Sequence, residues 1–190
     1  MATSIRSFMA VELTPEHSRA IARISRQMAE QWPEYRWVDP RNMHLTLNFL
    51  GNVADEKIPR VCEIMRETLA AHAAFTFDIQ GLGAFPKNSR PRVIWIGVGE
   101  GKSALSKIYY DLADNLDELR LERDRKAFRP HITLGRIRDR QRWPDSMIEH
   151  LDSNPAMELG QVSVDEIVLF SSHLEKTGPI YTAMDRVPLG

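Results

Sequence analysis

Two near-identical tetrapeptides contain the histidines and threonines that are most suggestive of a reactive site. His-Leu-Thr-Leu at 44–47 and His-Ile-Thr-Leu at 131–134 are separated by nearly half of the 190-residue chain. A repeat at that distance indicates an internal duplication, which places equivalent strands in two halves of the molecule. The repeat therefore predicts one site to which both halves contribute.

Both tetrapeptides lie in apolar stretches typical of β-strands, in which successive side chains point to opposite faces. His44, Thr46 and Asn48 therefore share one face, whereas the leucines and Phe49 share the other and pack in the core. The second copy alternates in the same way. If the two strands lie side by side about a pseudo-two-fold axis, two imidazoles and two hydroxyls converge on one cleft.

Two imidazoles facing one point are suited to acid–base catalysis, since an unperturbed histidine pKa of ~6.5 lets one ring be neutral while the other is protonated. Threonine hydroxyls can hydrogen-bond phosphoryl oxygens, and arginine side chains offset the negative charge that develops there. A lone strand histidine is usually a packing or surface residue, but the matched pair favours a functional role. The other histidines are interpreted as surface residues: His17, His72, His150 and His173.

A metal site is the competing interpretation, because histidine is a common ligand. No third ligand at metal-type spacing accompanies either copy, and threonine is a poor zinc ligand. The single cysteine, Cys62, excludes an intramolecular disulfide and a cysteine-rich zinc site. We therefore expect no metal.

Strands and helices must alternate to position the two motifs. The periodicity predicts strands at 4–13, 35–38, 43–50, 75–85, 92–98, 131–137, 162–171 and 180–187, and helices at 15–31, 54–72, 103–121 and 146–151. Thr14 as N-cap with Pro15 at the first helical position marks the first helix start. No linker or low-complexity tract divides the chain, so we expect one α+β unit, built as one lobe or as two.

Composition excludes several classes of protein. The chain is 43% hydrophobic and 27% charged with a formal charge of −1, which is typical of a globular protein and not of a disordered one. No stretch approaches the ~20 apolar residues of a membrane span, and the N-terminus lacks a secretory signal. We expect a cytoplasmic protein without membrane attachment.

The near-neutral total conceals a basic segment at 120–142, which carries nine Arg and Lys against three acidic residues. That segment is +6, so the remaining chain has 16 basic and 23 acidic residues and is −7. Such a run is either a solvated loop or a patch that attracts phosphate. Composition alone leaves both open.

The paired His-x-Thr-x motifs in a chain of this length resemble the 2H phosphoesterases. Within them, the sequence is similar to the bacterial and archaeal RNA 2′,3′-cyclic phosphodiesterases, historically called 2′-5′ RNA ligases. The similarity covers nearly the whole chain: it includes 6–11, 37–51 around the first motif, 92–95, 129–136 around the second motif, and 168–172. Phe170 stands where the family usually has Tyr, and so lacks the hydroxyl a polar role would need.

The resemblance implies one bilobal domain spanning 1–190, with two pseudo-symmetric antiparallel sheets lining a central cleft and helices outside. It implies hydrolysis of 2′,3′-cyclic phosphate RNA ends to 2′-phosphomonoesters without metal or other cofactor. On that pattern His131 accepts a proton from the attacking water and His44 donates one to the leaving 3′-oxygen. Thr46 and Thr133 bind the non-bridging oxygens, and Arg136 matches a phosphate-contacting arginine.

Alternation from His131 puts Arg136 on the face opposite the imidazole, so contact with the phosphate requires the strand to end, twist or bulge at Gly135. We predict such an irregularity. Arg129, Arg138 and Arg140 are candidates for steering RNA. Phe8, Trp37 and Phe49 are candidates for stacking on a base, although alternation favours core packing for Phe49. Trp95 is expected in the core.

Two alternative functions remain open on the sequence. The same histidines could join a cyclic phosphate to a 5′-hydroxyl, as a 2′-5′ RNA ligase, or the chain could bind RNA ends with little turnover. Two intact proton-transfer groups argue against binding alone. The substrate is left open among tRNA halves, other RNA ends and cyclic nucleotides, and we expect a monomer.

Overall fold

The computed structural model describes residues 3–121, 127–137, 143–175 and 178–190. The strands are β1 (Ser4–Glu12), β2 (Arg36–Trp37), β3 (His44–Ala54), β4 (Phe75–Lys87), β5 (Arg90–Val98), β6 (His131–Arg136), β7 (Glu158–Val164), β8 (Glu166–Glu175) and β9 (Gly178–Pro188). The helices are α1 (Pro15–Gln31), α2 (Ile58–Leu69), α3 (Lys102–Asn115) and α4 (Asp145–Asp152).

The strands of the described residues form one strongly curled antiparallel sheet. Its order is β7-β4-β5-β6-β3-β1-β8-β9, and β2 pairs with β6 outside this path. The order is symmetric about β6 and β3, the two motif strands, where Leu45 pairs with Ile132. The predicted α+β fold with two antiparallel halves and outer helices is confirmed, with the halves joined into a continuous sheet.

The core lies between the sheet and the helices that cover its outer surface. Thr14 caps α1 by accepting from the His17 amide, Pro15 is its first residue, and the helix ends before Trp32, as predicted. The core contains Leu45 and Leu47 of β3 and, from β6, Ile132 and Leu134. The aliphatic faces of the motif strands therefore anchor the sheet, and their polar faces are free for the cleft.

One predicted strand is wrong. The periodicity predicts a single strand over 162–171, but the chain changes direction at Asp165 between β7 and β8. Phe75 of β4 pairs with Val164 of β7, whereas β8 pairs with β1 in the other half of the sheet. Periodicity does not reveal such a break, because apolar residues occur on both sides of it.

Within the described residues, no helix combines the length and apolar character needed to cross a membrane.

Candidate active site

The two motif strands are neighbours in the sheet, which places both histidines on one of its faces. Leu45 and Ile132, which pair across β3 and β6, are fully buried. His44 and His131 each precede one member of that pair, so their side chains extend from the opposite surface. Burial lowers the pKa of His44, and His131, when charged, lowers it further.

Each motif histidine is held by the carbonyl of the residue two positions earlier. His44 Nδ1 lies 2.8 Å from the Asn42 carbonyl oxygen, and His131 Nδ1 lies 2.6 Å from that of Arg129. Because a carbonyl oxygen only accepts, Nδ1 is the donor in both rings. In the neutral ring this leaves Nε2 unprotonated, so Nε2 is the atom available for proton transfer.

The orientation of His44 is fixed further by its neighbours. Its Nε2 lies 2.9 Å from Thr46 Oγ1, whose hydroxyl donates to the neutral ring. Asn42, which holds the other ring nitrogen, is itself tied to β9, because its Nδ2 donates to the Pro179 carbonyl at 2.9 Å. Two strands distant in sequence therefore position one imidazole.

An aromatic cluster surrounds His44. Phe8 stacks on the imidazole with ring centroids 4.8 Å apart, Phe170 stacks on Phe8 at 5.3 Å, and Tyr181 meets the imidazole edge-on at 5.3 Å. Burial lowers the pKa of His44 to about 4, although its backbone hydrogen bond and the charge of Glu12 act in the opposite direction. The free protein therefore holds this ring neutral at pH 7.

His131 is also held neutral, by a different environment. Phe85 meets its ring edge-on at 4.9 Å. Burial lowers the pKa of His131, and the positive charge of Arg136 lowers it further, against the Arg129 backbone bond that raises it. A neutral Nε2 at this position is ready to accept a proton.

A cavity of about 800 Å³ opens beside these residues. Thr46, His131, Thr133 and Arg136 line the end beside the motif strands. It continues to an apolar and aromatic wall towards α3, formed by Phe49, Tyr109, Ala113, Leu116, Leu121 and Phe128. This volume lies in the range of sites that hold small organic ligands, about 300–1,000 Å³, and is far more than one phosphate needs.

The irregularity predicted near Gly135 is confirmed. Trp95 of β5 pairs with Thr133 and Ile94 with Gly135, so Leu134 is an extra residue in β6. This bulge turns Arg136 back to the face of Thr133, where it lines the cavity.

A matching bulge overturns the prediction of core packing for Phe49. Ala10 of β1 pairs with Thr46 and Phe8 with Phe49, so β3 also contains one extra residue between its two partners. Phe49 is consequently 50% exposed and lines the cavity, while Asn48 is buried and donates from Nδ2 to the Tyr109 carbonyl at 3.2 Å. Strict alternation failed because it assumes an unbroken ladder.

Two aromatic residues predicted to stack on RNA bases are placed elsewhere. Phe8 is only 3% exposed and packs on His44, so it has no free ring face to offer. Trp37 donates from its indole nitrogen to the Trp32 carbonyl at 3.0 Å and lies against the backbone of Gly135. Phe8 therefore packs beside His44 on the same face, and Trp37 packs against the bulge at Gly135.

Other predicted residues have mixed outcomes. Arg129 is exposed, lines the cavity and stands over the Phe85 ring at 5.9 Å. Arg138 and Arg140 lie outside the described residues. Trp95, expected in the core, shares the cleft face with Thr133, and its ring lies so close to Gly83 that a Cβ there would overlap it.

Residues that the sequence did not single out complete the site. Tyr181 reaches His44 from β9, and Glu12 of β1 lies directly opposite His44 in the sheet register. Neither has a sequence signal, since strand order alone brings them to the motif. Among the described residues, no group of three or more His, Cys, Asp or Glu side chains is arranged to hold a metal ion.

One antiparallel sheet thus brings the two motif histidines, two threonines and an arginine to the same face. The family model of the LigT-like phosphoesterases matches the chain twice, at residues 11–95 and 96–181. The chain belongs to this family, and each half matches the same model, as expected for an internal duplication.

Its relatives carry a common name. An RNA 2′,3′-cyclic phosphodiesterase of Thermotoga maritima is 33% identical over 180 residues, which are 95% of this chain and 93% of the relative. One from Aquifex aeolicus is 36% identical over 156 residues, 82% of each chain.

Solved structures share the fold. The Thermus thermophilus protein TT0787 superposes with a TM-score of 0.81 and 27% identity over 97% of this chain and 98% of that one. E. coli LigT in complex with 3′-AMP superposes with a TM-score of 0.77 and 25% identity over 98% of both chains.

Proposed function

We propose that this protein is an RNA 2′,3′-cyclic phosphodiesterase that forms 2′-phosphomonoesters with a pair of histidines and without a metal. The observation that carries the proposal is the matched anchoring of Nδ1 in His44 and in His131, which leaves Nε2 of each ring as the atom that can exchange a proton. The name shared by relatives at 33% and 36% identity supports the substrate class.

In the proposed reaction one histidine accepts a proton and the other donates one. His131 Nε2 takes a proton from water while the water oxygen forms a bond to phosphorus. The bond from phosphorus to the 3′-oxygen breaks, and protonated His44 gives its proton to that oxygen. Burial and the positive charge of Arg136 both disfavour the imidazolium form of His131, which is the form that the base must not hold before it accepts a proton.

His44 must gain a proton before it can act as the acid. Burial gives it a pKa of about 4 in the free protein. A bound phosphodiester brings a negative charge beside the ring, which favours the imidazolium and raises its pKa. Substrate binding thus prepares the acid.

The proposed phosphate contacts are Thr46, Thr133 and Arg136. Thr46 releases His44 and turns its hydroxyl to a non-bridging oxygen, while Thr133 acts from the second strand. The Arg136 guanidinium offsets the charge that builds on these oxygens in the transition state. All three side chains line the same cavity.

The remainder of the cavity is proposed to hold the nucleoside at the RNA end. Phe49 and Phe128 offer aromatic surface for a base, and base–aromatic stacking tolerates any sequence. Arg129 is proposed to contact the backbone upstream. We further propose that one two-lobed domain over 1–190 acts as a monomer, since its two halves together supply both motifs.

A second candidate function is 2′-5′ ligation. The cavity beside His131, the residue that would activate the nucleophile, has room for a nucleoside acceptor as well as for water. Ligation prevails only if the acceptor is held at an effective molarity that competes with water at ~55 M.

The test is hydrolysis of an RNA oligonucleotide ending in a 2′,3′-cyclic phosphate, with EDTA present and the product read by phosphorus NMR. We expect a 2′-phosphate, and a loss of at least ~10² in His44→Ala and in His131→Ala. His173→Ala, which alters an exposed histidine, is the matched control. Turnover that is indifferent to both motif histidines, or abolished by EDTA, overturns the proposal.

An acceptor RNA with a 5′-hydroxyl, added to the same reaction, measures ligation directly. A joined product that exceeds the hydrolysis product assigns the chain to the second function. Tight binding of the cyclic-phosphate RNA without either product assigns it to RNA-end binding.

A further inference from the structure

The two halves of the sheet place different residues opposite their motif histidines. Glu12 of β1 pairs directly with His44, whereas Gly97 of β5 pairs directly with His131. Side chains of directly paired residues lie on the same face of an antiparallel sheet. One histidine therefore has a carboxylate beside it where the other has only a glycine.

A second difference has the opposite sign. The residue five positions after His44 is the uncharged Phe49, whereas the residue five positions after His131 is Arg136. Both line the cavity. The first histidine thus has a negative neighbour, and the second has a positive one.

The Glu12 carboxylate is held in place by an ion-pair network. Arg186 Nη1 lies 2.5 Å from Glu12 and 2.6 Å from Glu166. One guanidinium serves two carboxylates, so the group keeps a net charge of −1. The Glu12 charge also raises the pKa of His44, in line with this geometry.

The other charged and titratable groups near His44 do not replace this carboxylate. His131 on β6 lowers the pKa of His44 when it is charged. Tyr181 on β9 is protonated near pH 7, because burial raises the pKa of its phenol, and the charges of Arg6 and Arg136 lower that pKa only in part. Among the described groups whose charge acts on His44, Glu12 is the only carboxylate.

We propose that Glu12 is a positioning residue that makes His44 the proton donor of the pair. The inference rests on the proposed function and deepens it. The two His-x-Thr-Leu motifs are nearly identical, and a phosphate bound between them favours protonation of both rings. Glu12 therefore favours the proton on His44, while Arg136 disfavours it on His131.

Two variants that break the same ion pair separate charge from packing. Glu12→Gln removes a negative charge near His44, and Arg186→Gln removes a positive one. We expect the pKa of His44, measured by NMR titration of its imidazole carbons, to fall in Glu12→Gln and to rise in Arg186→Gln. Loosened packing would move both variants in the same direction, and that result, or no shift in either, overturns the proposal.

Kinetics provide a second readout. In Glu12→Gln we expect the alkaline limb of the kcat profile, which follows His44 in the enzyme–substrate complex, to move to lower pH, with about a threefold loss at pH 7 for an exposed carboxylate. Glu12→Asp, which keeps the charge, should restore most of it. An unshifted profile in Glu12→Gln, or no rescue by Glu12→Asp, overturns the proposal.

The NMR titration does not depend on turnover. If hydrolysis proves indifferent to His44→Ala, the proposed function fails whatever Glu12 does. If hydrolysis requires His44 but the His44 pKa does not respond to the Glu12 charge, only the assignment of Glu12 fails.

Discussion

Phe49 and Arg136 occupy equivalent places in the two halves of the sheet. Each lies five residues after a motif histidine, each follows a one-residue bulge in its strand, and both line the same cavity. The bulge is what brings each side chain to the cleft, because an unbroken strand would turn it into the core. The equivalent position in the two halves thus supplies an aromatic ring in β3 and a positive charge in β6.

Arg136→Met should lower kcat/KM for a cyclic-phosphate RNA by about 10²–10³, as removal of a donor to a developing oxyanion does. The pKa of His131 should also rise, since the Arg136 charge lowers it in the wild type. Arg36→Met is the matched control, because Arg36 pairs with Arg136 across the sheet but does not line the cavity. Similar losses in both variants would contradict a specific phosphate contact.

Phe49→Ala should leave the free energy of unfolding within about 0.5 kcal/mol of the wild type, because the side chain is 50% exposed. KM for the nucleotide substrate should rise severalfold. Leu47→Ala, two residues earlier and 3% exposed, should instead cost about 2–5 kcal/mol through the buried cavity it leaves. Urea unfolding and steady-state kinetics on the pair test this. A large loss of stability in Phe49→Ala would return that residue to the core.

Gly135→Ala should impair the site through Trp37. A Cβ at Gly135 would stand 2.9 Å from Trp37 Cε3, closer than real contacts allow, so the ring or the bulge must move. We expect about a tenfold loss of kcat/KM, because Arg136 follows directly. Trp37→Leu in the same chain should restore part of the lost kcat/KM, because leucine lacks the ring atoms that a Cβ at Gly135 would meet. Additive losses in the double variant would show that the two residues are not coupled.

The pH at which kcat/KM is greatest should lie below neutrality. The proposed reaction needs protonated His44, and the fraction of that form falls as pH rises above its pKa of about 4. It also needs neutral His131, and the fraction of that form falls as pH drops below a pKa that is lowered from 6.5. We therefore expect a bell-shaped kcat/KM with its maximum between about pH 4 and 6.5. The alkaline limb of kcat should lie at higher pH, since bound phosphate raises the pKa of His44. A kcat/KM that rises steadily through pH 9 would contradict the division of roles.

The repeated motif allowed the fold class, and the placement of two motif histidines on neighbouring strands, to be predicted from the sequence. Strand periodicity correctly placed His44, Thr46, His131 and Thr133 on polar faces, and glycine at 135 correctly signalled an irregularity. It failed for Phe49, because a bulge changes the face without leaving a glycine or proline at that point. It also merged β7 with β8 across Asp165.

Local features could be predicted from the sequence: which side chains alternate along a strand, where helices begin, and that two equivalent strands carry the same motif. The neighbours of each histidine depend instead on the tertiary structure. Strand order brings Phe8 and Glu12 of β1 and Tyr181 of β9 to His44, and leaves Gly97 opposite His131. Protonation depends on burial and charge within a few ångströms, and those neighbours come from distant parts of the chain. Two nearly identical motifs therefore acquire different environments only when the chain folds.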